Sequence, residues 1–339
     1  MRFLLFIVGF MFYTCCTAQT LGGSAAYNFL GLPSSVMLTA AGGANTSYDA
    51  GDVSLAANNP ALYNKGVSKR LGLSFNSLAG GLKSYNLSGA YHYEKWKTTF
   101  GGNIYFVDYG SIPQTDAAGN MMGNFHPVDY AVQLSAAGTY MDRWSYGANL
   151  KFIHSGYQLY TSSAMALDFG VLYKDTSNLF TAGILAKNMG FQIKTFAGEA
   201  EDMPFDLQIG ITKKLLHAPL GFSFTADHLQ RFDILYNDIA FNNENGYESN
   251  SGFMNKLLNH FVVAAHVYLG DHLEALFGYN HLRRTELSIG TIGNGLTGFS
   301  AGLRMKFSKL QVLYARSSYQ RNIAFNQIGI NIQMDKLLG

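Results

Sequence analysis

The chain has few charged residues and no long hydrophobic run beyond its first residues. Charged residues make up 14% of its 339 residues and aromatic residues another 14%, and the mean hydropathy is close to zero. This composition is too apolar and too poor in charge for a typical soluble protein of this length. No run of about 18 apolar residues follows residue 18, which excludes membrane-spanning helices in that part of the sequence. A chain that is apolar on average but never continuously so is typical of strands with one lipid-facing side.

The first 18 residues predict a secretory signal peptide. Arg2 supplies the positive start, and residues 3–13 form an apolar stretch that is too short to span a bilayer. Small residues at the expected positions place the cleavage after Ala18. The alternative is a lipoprotein acylated at Cys15 or Cys16, although the residues before them form a poor acylation signal.

Cysteine is absent after residue 16, so the predicted mature chain offers no disulfide, thiol nucleophile or thiolate metal site. Removing Arg2 from the 24 basic residues leaves 23 against 22 acidic ones, which is nearly neutral. No basic stretch suggests a nucleic-acid partner.

From residue 70 onward, segments of about ten residues alternate apolar with small or polar side chains. In 163–173, for example, Met165, Leu167 and Phe169 fall on one face of a strand, and Ala166 and Asp168 fall on the other. About 14 such strands are predicted, near 70–79, 83–93, 97–108, 128–140, 144–156, 163–173, 179–189, 204–214, 219–229, 259–269, 272–281, 296–307, 310–319 and 325–334. The pattern predicts an all-β transmembrane outer-membrane β-barrel, with lipid outside and small or polar groups inside.

Connection lengths provide an independent test of this topology. Every second connection is short, whereas four of the others are long: 109–127, 190–203, 230–258 and 282–295. Short periplasmic turns that alternate with longer extracellular loops are typical of outer-membrane barrels, and an even strand count returns the C-terminus to the periplasm.

Residues 19–69 differ from the barrel residues 70–339. They are rich in Ala, Gly, Ser and Asn and show no sustained alternation. We interpret them as a hatch segment packed inside the barrel; a flexible periplasmic tail is the alternative.

The inner faces of the predicted strands carry isolated charges, and buried charges need partners. We expect a polar network that holds the hatch in the lumen; a lined aqueous pore is the alternative. The predicted inward charges are Lys151, Asp168, Asp206, Asp227, Arg304 and Lys306. No catalytic constellation, metal-binding motif or phosphate loop stands out, so we predict no enzyme activity and no cofactor.

The segment 38–44, followed by Tyr48-Asp49 and 58–62, resembles the hatch signature of FadL-like barrels. Two further stretches, 213–219 and 228–233, resemble the PorQ family of the type IX secretion system, which is related to PorV. The last residues, 335–339, lack the terminal aromatic residue that is common in outer-membrane barrels.

The resemblance implies a non-enzymatic protein of the outer membrane, in contact with outer-membrane lipid. It also implies membership of an attachment complex with PorZ, PorU and a PorV-like barrel, which processes secreted cargo and links it to the cell surface. No catalytic residue carries over, because the catalytic member of that complex is the sortase-like PorU.

Two functions follow as expectations. In the first, the barrel is a scaffold whose loop 230–258 holds a PorZ-like partner through Phe232, Tyr236, Phe241 and Tyr247; the same loop would otherwise be a lid over the barrel. The second function is a FadL-like channel for hydrophobic small molecules, which needs a lumen pocket and a lateral opening between strands. An outer-membrane enzyme ranks last, because the sequence offers no nucleophile–base pair.

Overall fold

The computed structural model describes residues 25–116, 118–235, 252–287, 295–320 and 323–335. The predicted signal peptide lies outside the described residues, as do Tyr236, Phe241 and Tyr247.

Fourteen antiparallel strands form a closed barrel in which neighbours in sequence are neighbours in space, and this confirms the predicted fold class. The strands of the barrel are β1 (Arg70–Ser77), β2 (Lys83–Tyr93), β3 (Thr98–Asp108), β6 (Val128–Tyr140), β7 (Trp144–Tyr157), β8 (Tyr160–Asp175), β9 (Phe180–Lys194), β10 (Asp206–Lys214), β11 (Leu220–Ala226), β12 (Phe261–Leu269), β13 (Leu273–Asn280), β14 (Phe299–Lys306), β15 (Leu310–Gln320) and β16 (Ile323–Gln333). Pairing of β1 with β16 closes the barrel.

Two local differences from the sequence prediction extend ordered structure into predicted loops. Strand β9 continues to Lys194, because Phe191 and Ile193 keep the alternation and point outward. The loop after β3 contains a hairpin of β4 (Ile112–Thr115) and β5 (Met121–Phe125), which form a separate two-stranded sheet.

The barrel has two unlike ends. Turns of three to five residues join the strands at one end, and the connections 109–127, 195–205, 227–260 and 281–298 all lie at the other. The short-turn end is therefore the periplasmic end, called lower below, and the long-loop end is extracellular, called upper.

The outer face of the barrel is apolar. Side chains such as Leu134, Phe169, Ile184 and Phe277 are exposed along it. A closed barrel satisfies the backbone groups of its paired strands internally, and an apolar exterior suits hydrocarbon, so this is an outer-membrane protein.

Residues 25–69, called the N-terminal segment below, lie inside the barrel. Most of their side chains are buried, and they pack against inward-facing residues of the wall. The segment contains α1 (Val36–Ala40) and α2 (Val53–Asn58); the Asp52 side chain caps α2 by accepting a hydrogen bond from the Ser54 N–H at 2.9 Å.

Two further short helices, α3 (Phe253–Leu258) and α4 (His281–Glu286), belong to the extracellular connections. Within the described ranges, no helix combines the length and the apolar character that crossing a bilayer requires.

Wall glycines allow the N-terminal segment to approach the wall closely. A Cβ atom at Gly278 of β13 would collide with the backbone of Ala41 and Gly42, and one at Gly147 of β7 would collide with the backbone of Pro60. The small inner-face residues seen in the sequence therefore provide space for this segment.

Candidate functional site

The lower part of the interior contains a buried ion pair of Glu274 and Arg304, joined by the Tyr48 hydroxyl. These three residues are called the lower clamp. Glu274 and Arg304 are directly opposite one another on β13 and β14, and the Arg304 guanidinium donates to the Glu274 carboxylate. The Tyr48 hydroxyl also donates to this carboxylate, and Arg304 donates to the backbone carbonyl of Ala50. Both charges are almost fully buried and have several partners, which is what stabilises charge in such a place.

A row of hydroxyl and imidazole groups extends the lower clamp across neighbouring strands. The hydroxyls of Ser47 and Thr212 lie 2.8 Å apart, and Thr212 is 2.8 Å from the Ser223 hydroxyl. Ser223 in turn lies 2.7 Å from Nε2 of His266, whose Nδ1 is 3.4 Å from Glu274. Polar contacts thus tie the N-terminal segment to β10, β11, β12 and β13.

A second polar group lies halfway up the wall. Lys151 of β7 and Asp168 of β8 form an ion pair at 2.7 Å, and both are buried. Asp168 also accepts from the Asn149 side chain at 2.8 Å and from the backbone N–H of Asn188 at 2.8 Å. Asn188 has a φ of 58° and marks a register shift between β8 and β9, so the pair is built around a bulge in the wall.

The remaining predicted charges are not joined to these groups by a direct ion pair among the described residues. Asp206 accepts from the backbone N–H of His228 at 2.8 Å, and the Asp227 carboxylate lies 3.4 Å from the His228 ring. Lys306 is half-buried at the lower end of β14. The six charges therefore divide into separate groups at different heights.

An apolar region in the upper part of the interior is called the upper compartment. It lies beside the buried Asp129, whose carboxylate accepts from the hydroxyls of Tyr109 and Tyr157. Its wall is formed by Tyr105, Val107, Ala131, Ile153, Ala164 and Ala166, all buried, from β3, β6, β7 and β8. Residues 26–32 of the N-terminal segment occupy it, with the Phe29 ring stacked on Tyr105 at 6.1 Å between centroids.

Few polar contacts hold residues 26–32 in the upper compartment. The Tyr27 hydroxyl is hydrogen-bonded to Ser162, and the Ala26 N–H donates to the Asp202 carbonyl at 2.9 Å. Phe29 is held by packing alone, which makes this the part of the interior that an apolar molecule would suit.

The backbone ladder of the wall stops beside the upper compartment. The pairing of β10 with β9 begins at Asp206 and Lys187 and continues from there toward the periplasmic end. Above Lys187, β9 pairs with β8 only, and residues 201–204 contact it through the side chains of Asn188 and Gln192. Because Phe191 and Ile193 point outward there, this interruption lies at a level where the outer face is apolar.

Of the predicted partner-binding aromatics, Phe232 is described. It is half-exposed in the connection between β11 and β12, and its ring lies 5.5 Å from Phe253 of α3. The other three residues lie in the part of the connection that the structure does not describe.

Two features escaped the sequence analysis. Glu274 was missed because the inner face of β13 also carries Leu276, an apolar residue that breaks the alternation. The upper compartment was missed because the residues that fill it, 26–32, are far in sequence from the strands that form its wall. An acidic residue inside a predicted strand was the available signal for Glu274.

No group of three or more His, Cys, Asp or Glu side chains able to hold a metal ion occurs in the described part of the chain.

No protein-family model matches the chain, and no curated protein matches it. Several solved structures are similar to this chain. The Pseudomonas putida toluene transporter TodX has a TM-score of 0.55 at 10% identity and covers 89% of this chain and 97% of its own. The CymD monoaromatic hydrocarbon channel has a TM-score of 0.53 at 12% identity and covers 91% of this chain and 97% of its own. At such low identity the likeness shows a shared barrel fold.

Proposed function

We propose that this protein passes small hydrophobic molecules across the outer membrane through the barrel interior, without chemical conversion. The observation that carries the proposal is the upper compartment, where residues 26–32 fill an apolar part of the interior and are held there by few polar contacts. TodX is a toluene transporter and CymD is a monoaromatic hydrocarbon channel, which makes monoaromatic hydrocarbons the first substrates to test.

In this function the substrate takes the place of Phe29. An aromatic hydrocarbon against Tyr105 and Ile153 would recover the apolar contacts that Phe29 now makes. Residues 26–32 would move while the lower clamp keeps the rest of the N-terminal segment in place.

The wall interruption beside β9 supports a lateral route for the substrate. Backbone pairing would have to be broken to pass a molecule between most strands of the barrel. Above Lys187 the gap between β9 and β10 is bridged by side chains of Asn188 and Gln192, so that opening it breaks no strand ladder.

Reversible disulfide locks test the proposal, because no cysteine follows residue 16. Ala25 and Asp202 pair as a β-bridge, which keeps their Cα atoms about 5 Å apart, a separation that a disulfide spans. We expect Ala25→Cys/Asp202→Cys to lose uptake of radiolabelled toluene into cells when oxidised, down to the level of cells without the protein, and to regain it on reduction.

The control lock is Ser54→Cys/Ser88→Cys, at a position where the two hydroxyls lie 2.7 Å apart in the lower half. It should leave uptake unchanged in both redox states. Equal uptake by the oxidised upper lock and wild type would contradict the proposal, and so would loss of uptake in both locks.

A scaffold in a type IX secretion attachment complex, as in the PorQ family, is a second candidate. It is supported by apolar side chains on the extracellular connections: Met121 and Met122 of β5 are exposed, as is Phe232. Met121→Ser/Met122→Ser should then reduce recovery of a PorZ-like partner with the barrel, whereas Met141→Ser, on an exposed periplasmic turn, should not. Unchanged recovery in both variants would remove β5 from the proposed interface.

A further inference from the structure

The outer wall has a depression on its periplasmic side that the proposed transport does not use. Gly89 of β2 and Gly102 of β3 are directly paired, and both face outward. A Cβ on Gly102 would meet no atom within 4 Å, so a hollow lies in front of the two glycines.

Apolar side chains surround this hollow and extend it into a groove of about 640 Å³. Leu87 and Ile104 border it above, Tyr91 and Phe100 border it below, and Leu134 borders it on β6. These side chains lie at the level of the hydrocarbon, so the groove is wide enough and apolar enough for an acyl chain.

Aromatic and basic side chains lie below the groove, at the periplasmic boundary. The rings of Tyr93 and Trp96 are 5.2 Å apart, and Trp96 is 6.0 Å from Phe100. Such rings favour the headgroup level of a membrane. Gly89 is four residues from Tyr93, or about 13 Å along the strand, which is within the length of a lipid whose headgroup lies at that boundary.

The charge at the boundary is positive. The turn between β2 and β3 contains Lys95 and Lys97, both exposed. Its carboxylate, Glu94, is already paired with Lys65 at 2.8 Å. Among the described residues neither Lys95 nor Lys97 forms an ion pair, so the turn has positive charge available for an anionic group.

We propose that this groove binds an anionic glycerophospholipid of the periplasmic leaflet, with an acyl chain against Gly89 and Gly102 and the phosphate beside Lys95 and Lys97. The apolar part of the site selects for a chain and the basic part for a negative headgroup. A zwitterionic lipid with the same chains would match only the apolar part of the site.

The test is native mass spectrometry of the full chain released from micelles containing either phosphatidylglycerol or phosphatidylcholine with identical acyl chains. We expect the wild type to retain one phosphatidylglycerol with at least about fivefold higher occupancy than phosphatidylcholine, an effect of the size expected for neighbouring lysines at a membrane surface. Lys95→Gln/Lys97→Gln should lower retention of phosphatidylglycerol to that of phosphatidylcholine. Gly89→Leu/Gly102→Leu, which fills the hollow, should abolish retention of both lipids.

The glycine variant is expected to fold, because a Cβ at Gly89 would make only ordinary contacts at 3.8 Å and the side chains would point into lipid. Heat-dependent gel mobility checks the barrel. Matched controls are Ala301→Leu, also outward-facing on β14, and Lys309→Gln in another periplasmic turn; neither should change retention.

Three outcomes would overturn the proposal. Equal wild-type retention of the two lipids would indicate non-specific surrounding lipid. Retention of phosphatidylglycerol that is unchanged in both the lysine and glycine variants would place the bound lipid elsewhere. A dimer that dissociates in the glycine variant would assign the groove to a second copy of the chain.

Discussion

Apolar packing holds the N-terminal segment in both the lower and the upper part of the barrel interior, but the lower part adds a buried ion pair and a row of hydrogen bonds. In the lower part, charged and hydrogen-bonding groups from β10 to β14 hold Ser47, Tyr48 and Ala50. In the upper part, residues 26–32 pack against apolar side chains of the long strands β3, β6, β7 and β8.

This difference indicates which part of the segment can move. If the segment leaves, Glu274 and Arg304 stay paired in the wall but lose the Tyr48 hydroxyl and the Ala50 carbonyl, and a buried ion pair with unsatisfied hydrogen-bonding groups is costly. Apolar contacts can be replaced by those of any apolar molecule of similar shape. The lower part is therefore suited to anchoring and the upper part to exchange with a substrate.

The largest expected effect comes from breaking the lower clamp. Glu274→Ala leaves the Arg304 charge buried without its carboxylate, and we expect it to lower the free energy of unfolding by about 3–5 kcal/mol. Urea unfolding in micelles, followed by tryptophan fluorescence, measures this. Glu199→Ala, on an exposed extracellular connection, is the control and should cost little.

The double variant Glu274→Ala/Arg304→Met distinguishes lost charge compensation from lost packing. If the buried charge is the cause, removing it should recover part of the stability. A Glu274→Ala protein as stable as the wild type would show that the lower clamp does not anchor the segment.

A smaller effect is expected from closing the space between wall and segment. Gly278→Val places a side chain where the backbone of Ala41 and Gly42 now lies. Overpacking of this kind should cost about 1–3 kcal/mol, measured by the same unfolding experiment. Gly102→Val, which points into lipid, should leave stability unchanged, and equal losses in the two variants would mean that the close approach is not the cause.

In the upper compartment, loss of packing should act locally. We expect Phe29→Ala to speed hydrogen exchange of the Ala26 amide at least tenfold, about 1.4 kcal/mol in the opening equilibrium, because residues 26–32 can open without unfolding the barrel. Phe277→Ala, on the lipid face, should leave this amide unchanged. If Phe29→Ala destabilised the whole barrel as much as Glu274→Ala, the distinction between the two parts would fail.

The barrel itself could be predicted from the sequence because a lipid-facing wall imposes strict alternation, as in Met165, Leu167 and Phe169. The inward direction of Lys151, Asp168 and Arg304 followed from the same period. Their partners did not, since Asn188 is brought to Asp168 by a bulge and Tyr48 reaches Glu274 from the N-terminal segment. Alternation fixes the face on which a residue lies, but the height of each contact in the barrel depends on register and on how the N-terminal segment folds.

The smallest effect concerns an exposed ion pair at the periplasmic end of the barrel. It tests whether burial is what makes the ion pair of the lower clamp stabilising. Lys65 donates to Glu94 at 2.8 Å, and this hydrogen bond and the Lys65 charge hold the pKa of Glu94 below its usual range. Lys65→Ala should therefore raise the pKa of Glu94, as followed by NMR of labelled glutamate side chains, whereas Lys97→Ala should shift it less. Because both partners are exposed, the unfolding free energy should not change measurably. A loss comparable to that of Glu274→Ala would mean that ion pairing itself, and not its burial against the N-terminal segment, determines stability in this barrel.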